Sequence, residues 1–147
     1  MSLLEPPADT SSKSRAMIFT IVAVVLIAAS GLWFAFRYYP EKLATEHLFD
    51  ALVAGDTTKA YELWKAGPSY QMKDFLADWG PNGYYGPVKS YQILKENAPH
   101  GGSGVIVEVA VSPYAPMPDS GDAEKSRKTH VVTVWVETKD KSFSFPP

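Results

Sequence analysis

The chain has 147 residues, 46% of them hydrophobic and 20% charged, with a formal net charge of −2 and no cysteine. This balance argues against a nucleic-acid partner, because the one short basic run, Lys125-Ser126-Arg127-Lys128, follows Asp119, Asp122 and Glu124 and reads as a solvated loop. Without cysteine there is no disulfide scaffold and no thiolate site, and nothing in redox chemistry marks the compartment.

Residues 1–15, with Pro6, Pro7, Ser11, Ser12 and Ser14, offer little that forms a core and are expected to be a mobile tail. The segment 16–39 follows as an expected transmembrane helix. Its 21 positions from Ala16 to Phe36 carry no charge, and at about 1.5 Å per residue they reach roughly 31 Å, the thickness of a bilayer's hydrocarbon core. Eleven of them are Ile, Val, Leu or Phe, which together favour insertion by about 3 to 7 kcal/mol. Trp33, Tyr38 and Tyr39 are placed where amphipathic rings favour the headgroup level. Ala28, Ala29 and Gly31 form a patch of small residues that admits a second helix closely. A cleaved signal peptide is the competing reading, since Lys13 and Arg15 precede the run. The apolar stretch nonetheless continues well past the small residues at 28–30 that would be its cleavage site.

Lys13 and Arg15 on one flank are balanced by Arg37 and Lys42 on the other, so the positive-inside count is a tie. The short leading segment favours a single-pass protein of the cell membrane with a cytoplasmic N-terminus. The C-terminal domain is then extracytoplasmic, on the periplasmic side in a bacterium.

Residues 40–147 have the size of one soluble domain. After Pro40, the repeat Ala44, Leu48, Ala51, Leu52 predicts an amphipathic helix to about Val53, ended by Gly55. Asp56 supplies the N-cap of a second helix carrying Ala60, Leu63 and Trp64. Gly67-Pro68-Ser69 breaks the chain, and Met72 to Trp79 forms a third helix with Phe75, Leu76 and Trp79 inward. From Pro87 the period changes to two. Tyr91 and Ile93, then Val105, Val107, Val109 and Val111, then Val132, Val134 and Val136 mark one face of three strands, and residues 142–145 form a short edge strand ended by Pro146.

The predicted fold is α+β, a helical layer on a four-stranded antiparallel sheet. The order of Ala51-Leu52-Val53-Ala54-Gly55-Asp56, Ala60-Tyr61 with Trp64, Tyr91-Gln92-Ile93 and the two Val-rich strands resembles the NTF2-like, or cystatin-like, family over roughly residues 41 to 145. That resemblance implies a strongly curved sheet forming a cone. It also implies the option of an enzyme with an Asp or His inside the cone.

No residue qualifies clearly for that role. His47 is expected beside the apolar stripe of its helix and partly buried, His100 in an exposed turn, and His130 at a strand start. Asp74 and Asp78, four apart on one helix, place two carboxylates on one side, which suits a raised pKa or a cation but more simply a solvated face. Asp119, Asp122 and Glu124 lack the spacing of a calcium loop, and there is no GxSxG, HExxH or phosphate loop. No catalytic residue, metal or cofactor is expected.

The stretch 79–87 joins glycines and prolines to Trp79, Tyr84 and Tyr85. Pro113 to Pro118 adds Tyr114 and Met117, and these five side chains are the expected partner contacts. The sequence thus reads as a membrane-anchored, non-enzymatic accessory subunit in contact with membrane lipid and an integral-membrane protein. The alternative is a tethered module for a small apolar or lipid-like ligand.

Overall fold

The computed structural model describes residues 10–147, which divide into two units on either side of the Arg37–Tyr38 bond. The expected tail at positions 1–9 lies outside the described residues. The first unit is α1 (Thr10–Phe36), so Thr10 to Arg15, expected in the tail, are helical. Its side chains are exposed from Ser11 to Phe36, among them Ala28, Ala29, Gly31 and Trp33. The hydroxyls of Thr20 and Ser30 donate to the carbonyls of Ala16 and Leu26 one turn back, so the polar groups of this apolar stretch are satisfied within the helix. It is long and apolar enough to cross a membrane.

The second unit begins with α2 (Tyr39–Val53), which has proline in its first turn, where the missing N–H costs nothing. Tyr38 and Tyr39, expected at the end of the span, therefore belong to this unit: Tyr39 opens α2, and Tyr38 packs partly against the domain core. The helix after it, α3 (Thr57–Trp64), starts as predicted at Asp56, whose carboxylate accepts from the Lys59 N–H at 3.0 Å. Then α4 (Met72–Trp79) opens with Asp74 accepting from the Gln71 N–H at 2.9 Å.

Four strands follow: β1 (Ser90–Asn97), β2 (Gly104–Ser112), β3 (His130–Glu137) and β4 (Phe143–Ser144). They pair antiparallel in chain order, with one irregularity in β1 between Ile93 and Lys95. A short helix, α5 (Ala123–Ser126), lies in the long β2–β3 connection, capped by Asp122. Sheet register places Ile93, Val109 and Val132 side by side, and Val107 beside Val134, on the face that meets the helices. Leu48, Phe49 and Leu52 of α2, Trp64 of α3, and Phe75 and Trp79 of α4 complete the core. β4 is only two residues long because Pro146 has no N–H to offer β3. The sheet is an open four-stranded meander.

Gly86 and Gly104 are among the glycines fixed by close approach. A Cβ on Gly86 would lie 1.9 Å from the Gly80 carbonyl oxygen, and one on Gly104 would lie 2.4 Å from that of Val136 and 2.6 Å from the Trp135 ring. Any side chain there would displace backbone.

Candidate functional site

The most concentrated chemistry of the domain is a seam of aromatic rings where α3, α4 and the end of β4 meet. Trp64 is its hub: its ring centroid lies 5.7 Å from Tyr70, 5.7 Å from Phe143, 5.3 Å from Phe145 and 5.9 Å from Trp79. Trp79 packs in turn on Phe49 at 5.5 Å and Tyr85 at 4.9 Å. From Tyr85 the seam reaches the surface through Tyr84 at 4.8 Å, and Tyr84 lies over His130 at 5.5 Å. Edge and offset geometries of this kind add modest stabilisation beyond burial.

At one end of the seam Trp64, Tyr70, Phe143 and Phe145, with Gly67, Ser69 and Ser144, line a slot of about 190 Å³. The Tyr70 hydroxyl donates to Asp78 at 2.5 Å, and the Tyr61 hydroxyl donates to the Tyr70 carbonyl at 3.0 Å. Burial first, then the hydrogen bond and negative charge of Asp78, push the Tyr70 hydroxyl far above the ordinary tyrosine range. The slot therefore presents flat apolar walls, two serine hydroxyls and a neutral phenol.

A larger cleft of about 380 Å³ lies between α2 and α3, lined by His47, Asp50, Ala51, Ala54, Asp56, Lys59 and Leu63. Its two carboxylates are already engaged: Asp50 accepts from the Tyr91 hydroxyl at 2.7 Å, and Asp56 caps α3. Among the described residues no three His, Asp or Glu side chains are grouped to hold a metal ion.

The expected contact residues separate into two kinds. Trp79 is 2% exposed and is a correction to the expected docking surface: it ends α4 on the inward face and is walled in by Phe49, Trp64, Tyr85 and Phe145. Tyr85 is half-buried in the same stack, which leaves Tyr84, at 68% exposure, as the aromatic that this loop presents outward. Tyr114 and Met117 are half-buried against their own sheet, since Ser90 donates to the Tyr114 carbonyl at 2.5 Å and touches the Met117 sulfur at 4.0 Å. The Tyr114 ring also receives the ammonium groups of Lys125 and Lys128 at 5.5 and 5.8 Å.

The candidate acids and histidines are dispersed. Asp74 caps α4 while Asp78 holds Tyr70, so the pair does two separate structural jobs. His47 is exposed, not partly buried as expected, because it points away from the Leu48–Phe49 stripe; His100 is exposed and His130 half-buried. Sequence reasoning missed Tyr70, Phe143 and Phe145 as slot residues. Their signal in sequence is limited to an aromatic shortly before the third predicted helix and two in the predicted edge strand at 142–145. No protein family, curated protein or solved structure matches the chain.

Proposed function

We propose that the protein is a single-pass, membrane-anchored accessory or assembly subunit of a larger membrane complex, acting through protein contact, not catalysis. α1 is read as the anchor, surrounded by lipid and by an integral-membrane partner helix that meets Ala28, Ala29 and Gly31, with the α+β domain on the extracytoplasmic side. The observation that carries this reading is the uninterrupted exposed apolar surface of α1, while the core of the second unit is assembled from residues 38 onward. Exposed apolar area on that scale is the signature of a surface that something else covers. The domain is read as NTF2-like, supported by a helical layer that precedes an antiparallel sheet in chain order.

Extraction in mild detergent tests the reading. A second protein is expected to co-purify with a chain that resists alkaline washing. A monodisperse particle near 16.2 kDa plus detergent, or recovery of the chain in the aqueous fraction, would overturn it.

The aromatic slot favours a second reading, a tethered module for a small apolar or lipid-like ligand. Titration with a short-chain fatty acid would then shift the emission of Trp64. Identical spectra with and without it remove this reading.

A further inference from the structure

We propose that the aromatic slot beside β4 is a site for a free, uncharged compound built on a single aromatic ring, an inference that rests on reading the slot as a ligand site. Size sets the first limit. An apolar cavity of about 150 Å³ holds one benzene molecule, so the slot's volume of about 190 Å³ takes one ring with a small substituent and leaves out a long acyl chain. Shape sets the second. The Trp64 ring lies 28° from parallel to Phe143 and 30° from parallel to Tyr70, both at 5.7 Å between centroids, so the walls are flat faces that favour a flat guest. These walls stand in place before any ligand arrives. Phe143 is paired with Val136 in the sheet, the Tyr70 hydroxyl is held by Asp78, and the Tyr70 carbonyl by the Tyr61 hydroxyl. A preformed slot spares a ligand the ordering of its own site.

Charge sets the third. Among the described residues that line the slot, none is charged. Lys65, next to Trp64, donates to the Asp140 carbonyl, Asp78 accepts from Tyr70, Asp74 accepts from the Gln71 N–H, and Glu62 is exposed on α3. An ionised guest would therefore enter without a partner and lose hydration on the way. Trp64 and Phe143 are buried and Tyr70 and Phe145 half-buried, while Gly67, Ser69 and Ser144 are exposed, so apolar carbon lies deepest and two hydroxyls stand at the rim. That order suits a ring whose one polar substituent is directed outward. The larger cleft between α2 and α3 has the opposite chemistry, with His47, Asp50, Asp56 and Lys59 in its walls, and provides an internal control.

The test is equilibrium dialysis of the full-length chain in lipid nanodiscs, corrected with empty nanodiscs, against p-cresol, heptanol and benzoate, three compounds of similar size. Saturable binding of p-cresol is expected with a Kd of about 0.1–1 mM, and heptanol and benzoate are expected to bind at least about tenfold more weakly. Gly67→Leu and Ser144→Leu should each weaken p-cresol binding at least about tenfold by filling the space it needs. A Cβ at Gly67 meets nothing within 4 Å and Ser144 is exposed, so neither substitution crowds the fold. Ala54→Leu, in the α2–α3 cleft, should leave binding unchanged. Heptanol or benzoate bound as tightly as p-cresol, and displaced by the slot variants, overturns the ring or its neutrality while a ligand site remains. Absence of saturable binding by all three, or p-cresol binding untouched by both slot variants, overturns the ligand site itself, so the two failures are distinct. N-acetylphenylalaninamide bound through the slot at least about tenfold more tightly than p-cresol would assign it to a partner's aromatic side chain and overturn the free compound.

Discussion

Single side chains carry unequal weight in this domain, and the Glu41–Lys141 pair shows why. Glu41 is buried, and its Oε2 has no hydrogen-bond partner among the described residues, so its charge depends on one ammonium group. Lys141→Met removes that group and strands a carboxylate, which should cost about 3 kcal/mol; the double variant with Glu41→Leu should recover most of the loss, because a buried ion pair replaced by apolar groups is often close to neutral. Urea unfolding of the detergent-solubilised chain measures both. A double variant as unstable as the single one would mean that the turn geometry, not the charge, is what matters. Trp79 teaches the complementary lesson: an aromatic beside a glycine-rich loop reads as a contact residue in sequence, yet here the glycines exist to let the loop close over it.

Elements divide by how local their information is. The three domain helices and three longer strands were legible because each rests on neighbours in sequence: Asp56 as a cap, Gly55 as a stop, the period-two valines of β2 and β3. What escaped was decided by distant contacts. The irregularity in β1 after Ile93 answers the register of β2, α5 is a single capped turn with no apolar repeat, and the slot exists only because β4 brings Phe143 and Phe145 to Trp64. The cone implied by resemblance has as its counterpart an open sheet of four strands. At this scale α1 makes its own prediction. Val24→Arg places a charge near the centre of the apolar run at a cost of about 3 kcal/mol, comparable with the whole favourable insertion energy. The variant should move substantially into the alkali-soluble fraction, and full retention in the membrane pellet would contradict a spanning helix.

For the molecule as a whole, alkaline pH is the informative variable. Burial, then Asp78, raises the Tyr70 hydroxyl, and burial, then Asp50, raises that of Tyr91. In the unfolded chain both ionise near the ordinary value of about 10, while the folded domain keeps their protons. Above that pH the unfolded state binds fewer protons than the folded one, so stability present below about pH 10 falls as the pH rises toward the folded values. The urea midpoint should be flat from about pH 8 to 9.5 and decline beyond, and Tyr70→Phe with Tyr91→Phe should flatten the decline. A midpoint unchanged in slope by these substitutions would rule out the two phenols as its origin.

The β3–β4 turn has one more consequence, for digestion by trypsin. Two lysine side chains bind it to segments 75 and 100 residues away, whereas residues 119–129 are shaped by hydrogen bonds made within that stretch and reach outside it only where Lys125 and Lys128 rest on the nearby Tyr114 ring. A protease needs about a dozen residues of slack backbone, and only the second region yields that by local opening. The first nick should therefore fall after Arg127 or Lys128, leaving two fragments that stay associated through β2 and β3. Cleavage after Lys139 should wait for the entire fold to come apart.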